Sequence, residues 1–363
     1  MLTCHGRWGL CLTLLTVSAV LLSGYGGWFR PSLFGAVPAV MTLAYPLVVV
    51  LALAVCIGLL LARRWLLAAV VALAIVATGP SLRANFPLNV TPSVAQTADT
   101  FRVMSYNVAS FSGKLWTDRT QMHPAMRLIL DEDADFVILL QPVGHGVGYD
   151  QRKSINPWLA ELDRHYPYRT HSSNDEVELL SKHPFRVQPL AEPGRVYRYF
   201  PYVIESISRF AFDILLPDSK QLRIIAAHMT SFMLAKDERR VLDSVIVSSP
   251  WPLYAKLDTA FVRRERMSRV LRDSIDKSPA NVILCADVND VPQSFAYRTL
   301  RGHDMRDAFA ECHTGYLNTF NAHNMLFHID HILYRGSLRA TGFKCLRVPF
   351  SDHYPIVATF AWQ

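Results

Sequence analysis

The first 90 residues of this chain contain no Asp or Glu, and their five basic residues are Arg7, Arg30, Arg63, Arg64 and Arg83. Three apolar stretches fill the segment, from Leu10 to about Trp28, from Pro38 to Leu61 and from Trp65 to about Leu82. Each approaches the ~20 residues that an α-helix needs to cross hydrocarbon. A helical hairpin buried in a water-soluble protein normally keeps a polar face, and these stretches have none. Residues 1–84 are therefore expected to form a membrane region of about three transmembrane helices. Arg7, followed by an apolar run and by Ser23, Gly24 and Gly26, also fits a cleaved signal peptide, but two further apolar stretches directly behind it favour a retained anchor.

Orientation rests on few charges. With three spans, Arg7, Arg63 and Arg64 share one side and Arg30 and Arg83 the other. The positive-inside rule then puts the C-terminal part on the exported side, periplasmic or extracellular, in a multi-pass membrane protein. Removing the five N-terminal arginines leaves 37 − 5 = 32 basic against 30 acidic residues. The rest of the chain is close to neutral, so the overall basicity is no footprint of nucleic-acid binding. Residues 85–100, with Pro87, Pro92 and small polar side chains, read as a linker. Of the six cysteines, Cys285 lies in an apolar run and reads as a core residue, and a Cys312–Cys345 bridge is left open.

Residues 101–363 carry short apolar, β-branched runs at 101–108, 135–141, 177–181, 202–207, 222–228, 281–287, 329–334 and 355–360. They read as strands, several buried on both faces. Helical patterns lie between them at Thr120–Glu132, Asn156–His165 and Ala260–Asp276, the last rich in Arg and read as a solvated face. Many strands and few helices predict an α+β fold of two mixed sheets face to face with helices outside.

Polar groups cluster at the strand ends: Asn107, Gln141, His228, Asp287, Asn289, Asp330, Asp352 and His353. Singly, each is more often a cap or turn residue than a functional one. Together with their neighbours they form an ordered set: MSYNV (104–108), LLQ (139–141), LLSKHP (179–184), AAHMTS (226–231), CADVNDVPQS (285–294), HIDHIL (328–333) and SDHYPI (351–356). In content and order the set resembles the endonuclease/exonuclease/phosphatase superfamily, with its DNase I-like fold, a four-layer αββα sandwich, here behind N-terminal transmembrane helices.

The resemblance implies roles by position. Asn107 and Asp352 match residues that hold a divalent metal, usually Mg²⁺ (or Mn²⁺). Asp287 matches the carboxylate that orients or deprotonates the attacking water, and Asn289 an amide that holds the water or a phosphate oxygen. His353 matches a histidine on the scissile phosphate, with Asp330 as its partner, and His228 a second phosphate contact.

One departure bears on all of these. The superfamily normally has Gln-Glu where this chain has Gln141-Pro142, and that glutamate is its principal metal carboxylate. One negative ligand then remains where two are usual, which predicts a weakly bound metal. Glu176 and Glu178, just before LLSKHP, are the nearest substitutes but read more simply as surface strand residues. His328 and His331 stand where Arg and Tyr are usual, Val288 where Phe is common, and Ala226 where an Asn is often seen. The expected function is that of a membrane-anchored, divalent-metal-dependent phosphoesterase cleaving a phosphodiester or phosphomonoester, with the lipid bilayer as its partner through the N-terminal helices. The competing expectation is a non-catalytic descendant that binds a phosphorylated ligand or lipid headgroup in the same cleft.

Overall fold

The computed structural model describes residues 4–89, 100–111, 122–142, 159–170, 177–188, 208–216, 220–232, 251–322 and 325–363. The N-terminal part is helical throughout: α1 (Cys4–Tyr25), α2 (Pro31–Phe34), α3 (Ala36–Leu43), α4 (Tyr45–Leu61), α5 (Trp65–Ala77) and α6 (Gly79–Asn85). One helical stretch, Trp8–Trp28, is long and apolar enough to cross a membrane, and there are up to three if the bent pairs α3–α4 and α5–α6 each count as one span. The bends, 64° and 69°, fall next to Pro46 and Pro80, each at a helix start where the missing N–H costs nothing. Small residues such as Ala52, Ala68 and Ala74 are buried between α1, α4 and α5 and let the backbones approach, while Leu51, Ile57, Leu66 and Leu73 point outward, each about half or more exposed.

Twelve strands follow among the described residues: β1 (Thr100–Asn107), β2 (Phe136–Leu140), β3 (Tyr168–Arg169), β4 (Val177–Ser181), β5 (Phe185–Gln188), β6 (Ser208–Leu215), β7 (Gln221–His228), β8 (Val282–Asp287), β9 (Arg306–Asp307), β10 (Asp330–Arg335), β11 (Leu338–Cys345) and β12 (Ile356–Trp362). They form two six-stranded mixed sheets, ordered β11-β12-β1-β2-β4-β3 and β5-β6-β7-β8-β10-β9. Among the described residues five domain helices accompany them: α7 (Pro124–Glu132), α8 (Leu159–His165), α9 (Trp251–Asp276), α10 (Phe295–Arg301) and α11 (Ala308–Cys312).

The period-two alternation of strand side chains builds the layers. Phe136, Ile138 and Leu140 of β2 meet Ile224 of β7, Ile283 of β8 and Ile332 of β10 between the sheets. Val137 and Leu139 face outward onto Met126 and Ile129 of α7 and Leu162 of α8. On the other outer face, Val282 and Leu284 pack on Met267, Leu271 and Ile275 of α9. The αββα sandwich expected from the sequence is present.

Several local expectations need correction. Strands β3, β5, β6, β9 and β11 are not in the sequence expectation; β3, β5 and β9 are short, β11 is interrupted by a bulge at Ala340–Gly342 that breaks the alternation, and β6 begins just past the run expected at 202–207. The expected strand at 202–207 lies outside the described residues. Helix α9 begins at Trp251, nine residues before its expected start, and its arginines are not all solvated: Arg264 is completely buried. Cys312 and Cys345 are free thiols, so the bridge left open by the sequence does not form. The described part of the expected linker, residues 85–89, is fastened to the domain. Asn85 Nδ2 donates to Gln293 Oε1 at 2.8 Å, Asn89 Nδ2 donates to the carbonyls of Ala310 and His313, and Phe86 lies against Tyr316.

The helical region is docked as well. Glu265 of α9, 3 % exposed, accepts from Arg30 Nε, from Ser32 N–H and from Ser32 Oγ at 2.8–3.1 Å. Gln293 Nε2 donates to the Thr42 carbonyl at 2.5 Å, and Phe261 is buried against Ala36 and Ala39. Gly27 meets the Gln293 carbonyl so closely that a Cβ there would lie 1.9 Å from it.

Candidate active site

Strand register does most of the positioning. Parallel pairing of β7 with β8 sets His228 beside Asp287, and antiparallel pairing of β8 with β10 sets Asp330 on its other side. Laterally paired residues share a sheet face. The three groups thus form one row across the end of the second sheet. The first sheet brings Asn107 at the end of β1 and the Asp352–His353 pair just before β12. These are the residues the sequence singled out, and they converge.

Asp287, 0 % exposed, is the hub. Its Oδ2 accepts from Asn107 Nδ2 at 2.9 Å and lies 3.7 Å from both His228 Nε2 and His353 Nε2. Its Oδ1 accepts the Asn289 N–H at 2.9 Å. Burial, followed by the nearby Asp330 charge, raises the Asp287 pKa, while the two imidazoles and the Asn107 hydrogen bond oppose the rise. His353 Nδ1 meets Asp330 Oδ2 at 2.9 Å, which leaves Nε2 facing Asp287. Burial alone would lower the His353 pKa, but the charges of Asp330 and Asp287 outweigh it and push the pKa up to about 10.

The backbone at the cleft is held in an uncommon conformation. Asn289 and Gln141 have φ of +53° and +49°, left-handed values that non-glycine residues adopt mainly where surroundings enforce them. Asn289 is pinned on two sides, its Nδ2 donating to the Met229 carbonyl at 2.8 Å and its own carbonyl accepting from Arg264 Nη1. Arg264 also pairs with Asp290 Oδ2 at 3.4 Å and lies 4.0 Å from the Phe232 ring. Burial pushes the Asp290 carboxyl up to about 6, against the pull of Arg264. The sequence reading missed Arg264. Its signal was there, because Ala260, Arg264, Met267, Leu271 and Ile275 recur at helical spacing and place the guanidinium on the buried stripe. Also missed were Ser351, whose Oγ donates to the Asn107 carbonyl at 2.8 Å, and Thr319, whose Oγ1 accepts the N–H groups of Ile329 and Asp330.

For a metal, Asp287, Asp330 and His353 bring ligand atoms within 4.8 Å of one another. Of the pair expected to hold it, Asp352 is a half-buried carboxylate that accepts from Ser351 Oγ at 3.4 Å. Asn107 gives its amide nitrogen to Asp287, and its Oδ1 accepts the Ala109 N–H at 3.0 Å, with one lone pair left over. Position 142 holds a buried proline. Glu178 sits in β4 opposite Leu139, and Glu176 lies outside the described residues. The donor set is rich in oxygen and fits a hard divalent cation, with one carboxylate fewer than the resemblance calls for.

The sequence matches the Endonuclease/Exonuclease/phosphatase family over residues 104–353, more than two thirds of the chain, from the first motif into the last. The chain belongs to this family. Similar solved structures include an endonuclease/exonuclease/phosphatase from Beutenbergia cavernae (15 % identity, covering 73 % of this chain and 72 % of that one, TM-score 0.47). The human Nocturnin catalytic domain with bound sulfate anion is 17 % identical, with 74 % and 96 % covered and a TM-score of 0.48. D. rerio TDP2 complexed with single strand DNA product is 14 % identical, with 72 % and 98 % covered and a TM-score of 0.46. No curated protein matches the sequence. Members of the endonuclease/exonuclease/phosphatase family generally use divalent metals, which agrees with the oxygen-rich cleft.

Proposed function

We propose that the protein is a membrane-anchored phosphoesterase that hydrolyses a phosphodiester or phosphomonoester with the help of Mg²⁺ or Mn²⁺, at a metal site weakened by Pro142. The observation that carries this reading is the environment of Asp287: a fully buried carboxylate bracketed by two imidazoles at 3.7 Å and oriented by Asn107 and the Asn289 N–H. A carboxylate with a raised pKa is a better proton acceptor for an attacking water than an ordinary aspartate.

His353, kept protonated by Asp330, presents Nε2–H to a non-bridging phosphate oxygen, and His228 offers a second contact from the adjacent strand. Asn289 gives one amide hydrogen to Met229, which leaves its amide oxygen to accept from the water and its second hydrogen for a phosphate oxygen. Asp352 and Asn107 Oδ1 would hold the cation, which when bound neutralises charge on the phosphate oxygens. These groups stabilise developing charge without reorganising, because His353, Asn289 and Asn107 are fixed by hydrogen bonds and His228 by its register beside Asp287.

The helical region supports the anchored setting. Gly9 lies against Arg64, so the start of α1 and the α4–α5 turn share one end of the bundle, while Arg30 and Asn85 contact the domain at the other. Arg7, Arg63 and Arg64 at the far end support the reading of an exported domain under the positive-inside rule. The test is hydrolysis of an activated phosphoester by the full-length chain in detergent, with and without Mg²⁺ and with EDTA. Cation-dependent turnover supports the proposal. Binding of a phosphate ester without turnover at any cation concentration would make the chain a phospho-ligand or lipid-headgroup binding descendant. A reporter fused after Gln363 that is active only outside the cytoplasm reads the orientation.

A further inference from the structure

Where α6 meets the domain, a cavity of about 550 Å³ opens between that helix, α10 and α11. Four arginines line it, Arg83, Arg298, Arg301 and Arg306, against two carboxylates, Asp307 and Glu311. Both carboxylates are already engaged. Asp307 accepts the Tyr297 hydroxyl at 2.6 Å and the Phe309 N–H at 2.9 Å, and Glu311 accepts the Tyr334 hydroxyl. Arg306 is engaged too, donating to the Leu338 carbonyl and lying 4.6 Å over the Tyr334 ring. These neutral partners leave the charges in place, so four guanidinium groups face two carboxylates and the lining is net positive, with Arg83, Arg298 and Arg301 the cations on its α6 and α10 walls.

Arg83 and Arg301 are exposed, and Arg298 lies 3.6 Å over the ring of Trp28. Burial and then the Arg301 charge lower the Arg298 pKa, so Arg298 and Arg301 repel one another across this wall. The cavity also has a defined height. Trp28 closes the first apolar helix and Gly79 and Pro80 follow the last one, so the arginines stand where the apolar surface of Leu73 and Val76 gives out. Tryptophan and arginine at that level are the residues that meet phospholipid headgroups, and guanidinium forks match phosphate oxygens.

We propose that this cavity binds the phosphate-bearing headgroup of an anionic phospholipid, with Arg83, Arg298 and Arg301 as its cationic wall. The proposal rests on the membrane-anchored reading and uses none of the cleft groups His228, Asp287, Asp330 and His353. One wall, Pro292–Gln293, follows Asp287–Asn289 in sequence, and Gln293 is tied to both Thr42 and Asn85. A lipid seated there would brace the junction between helices and domain.

The experiment uses the full-length chain, delipidated in neutral detergent and titrated with phosphatidylglycerol, with phosphatidylcholine and with inorganic phosphate, while binding is read from thermal protection. Arg83→Ala/Arg301→Ala is the test variant, and Arg63→Ala/Arg64→Ala makes the same charge change at the opposite end. Phosphatidylglycerol should bind about tenfold or more tighter than phosphatidylcholine, and the test variant should lose about tenfold or more of that affinity while the control keeps it. Equal losses in the two variants, or equal binding of the two lipids, overturn the proposal. Protection by inorganic phosphate as strong as by phosphatidylglycerol, lost in the test variant, overturns the lipid as source and assigns the cavity to free phosphate. A chain that stays in solution without detergent refutes the membrane reading separately, and the inorganic-phosphate titration still reports on the cavity.

Discussion

The two sheets contribute unequal halves to the cleft. From the second come His228, Asp287, Asn289 and Asp330, each fixed by strand register or by a hydrogen bond to a buried partner. From the first come Asn107, Asp352, His353 and the Gln141–Pro142 corner, where the expected carboxylate is missing. The second half is fixed by pairing within its own sheet, and its carboxylates Asp287 and Asp330 take a charge partner, His353, from the first. The other, open half presents Pro142 where the resemblance calls for a carboxylate, and Gln141 beside it holds a left-handed conformation. The row across β7, β8 and β10 is set by sheet pairing.

The largest effect should come from breaking the network around Asp287, to which both sheets contribute. Asp287→Asn or His353→Ala should each lower phosphoester hydrolysis by at least ~10²-fold with the circular dichroism spectrum unchanged, since each removes a group aligned with water or phosphate. Unchanged turnover in both would show that the chemistry lies elsewhere.

Repairing the open half should give the next largest effect. Pro142→Glu adds a second carboxylate and should tighten Mg²⁺ by at least ~10-fold, the range seen even for outer ligand changes, and should raise the rate with it. Titration of both proteins by calorimetry checks this. Tighter metal without a faster rate would mean a cleft that binds only, and no change in either would mean that another residue already supplies the charge.

The coupling between halves is readable through pH. His353 has a pKa of about 10 in the folded protein against 6.5 for the ordinary group, so its stabilising contribution is complete below about 6.5 and is lost as pH rises through about 10. Asp330→Asn removes the closest of its carboxylate partners and should move that alkaline loss to lower pH, in melting temperature and in rate alike. A variant whose alkaline limb coincides with that of the unaltered protein would detach His353 from Asp330.

The smallest effect belongs to Ser351→Ala. It removes the hydrogen bond to the Asn107 carbonyl, worth about 0.5–1.5 kcal/mol, and the longer ones to Asp352 Oδ1 and from the His353 N–H, and should leave melting and turnover only modestly lowered. A drop as large as that of Asp287→Asn would make the first half far more dependent on local anchoring than its geometry suggests.

The cleft was legible because its residues sit at the ends of continuous apolar runs, such as VILCAD ending in Asp287, which can hardly be anything but buried strands. Less was legible wherever burial was decided by partners distant in sequence. Arg264 looked like one of several surface arginines until Asn289 and Asp290, some 25 residues on, claimed it. Asn85 and Asn89 looked like linker, since nothing nearby reveals that Gln293 and Ala310 await their amides. Strand β11 was hidden by its bulge, and the free state of Cys312 and Cys345 is a matter of distance that spacing does not encode.

Gly27 presses against the Gln293 carbonyl with no room for even a methyl group, and Glu265 clasps Arg30 and Ser32 beside it. A domain gripped this way has no play at its root. In the proposed bilayer setting its mouth would sweep a thin slab at constant altitude over the leaflet and turn only as the helices turn. Encounter would then become a planar search in which abundance per unit area, not per unit volume, governs how often a target arrives, and a reactant whose scissile bond lies at another altitude would be passed over however well it fits.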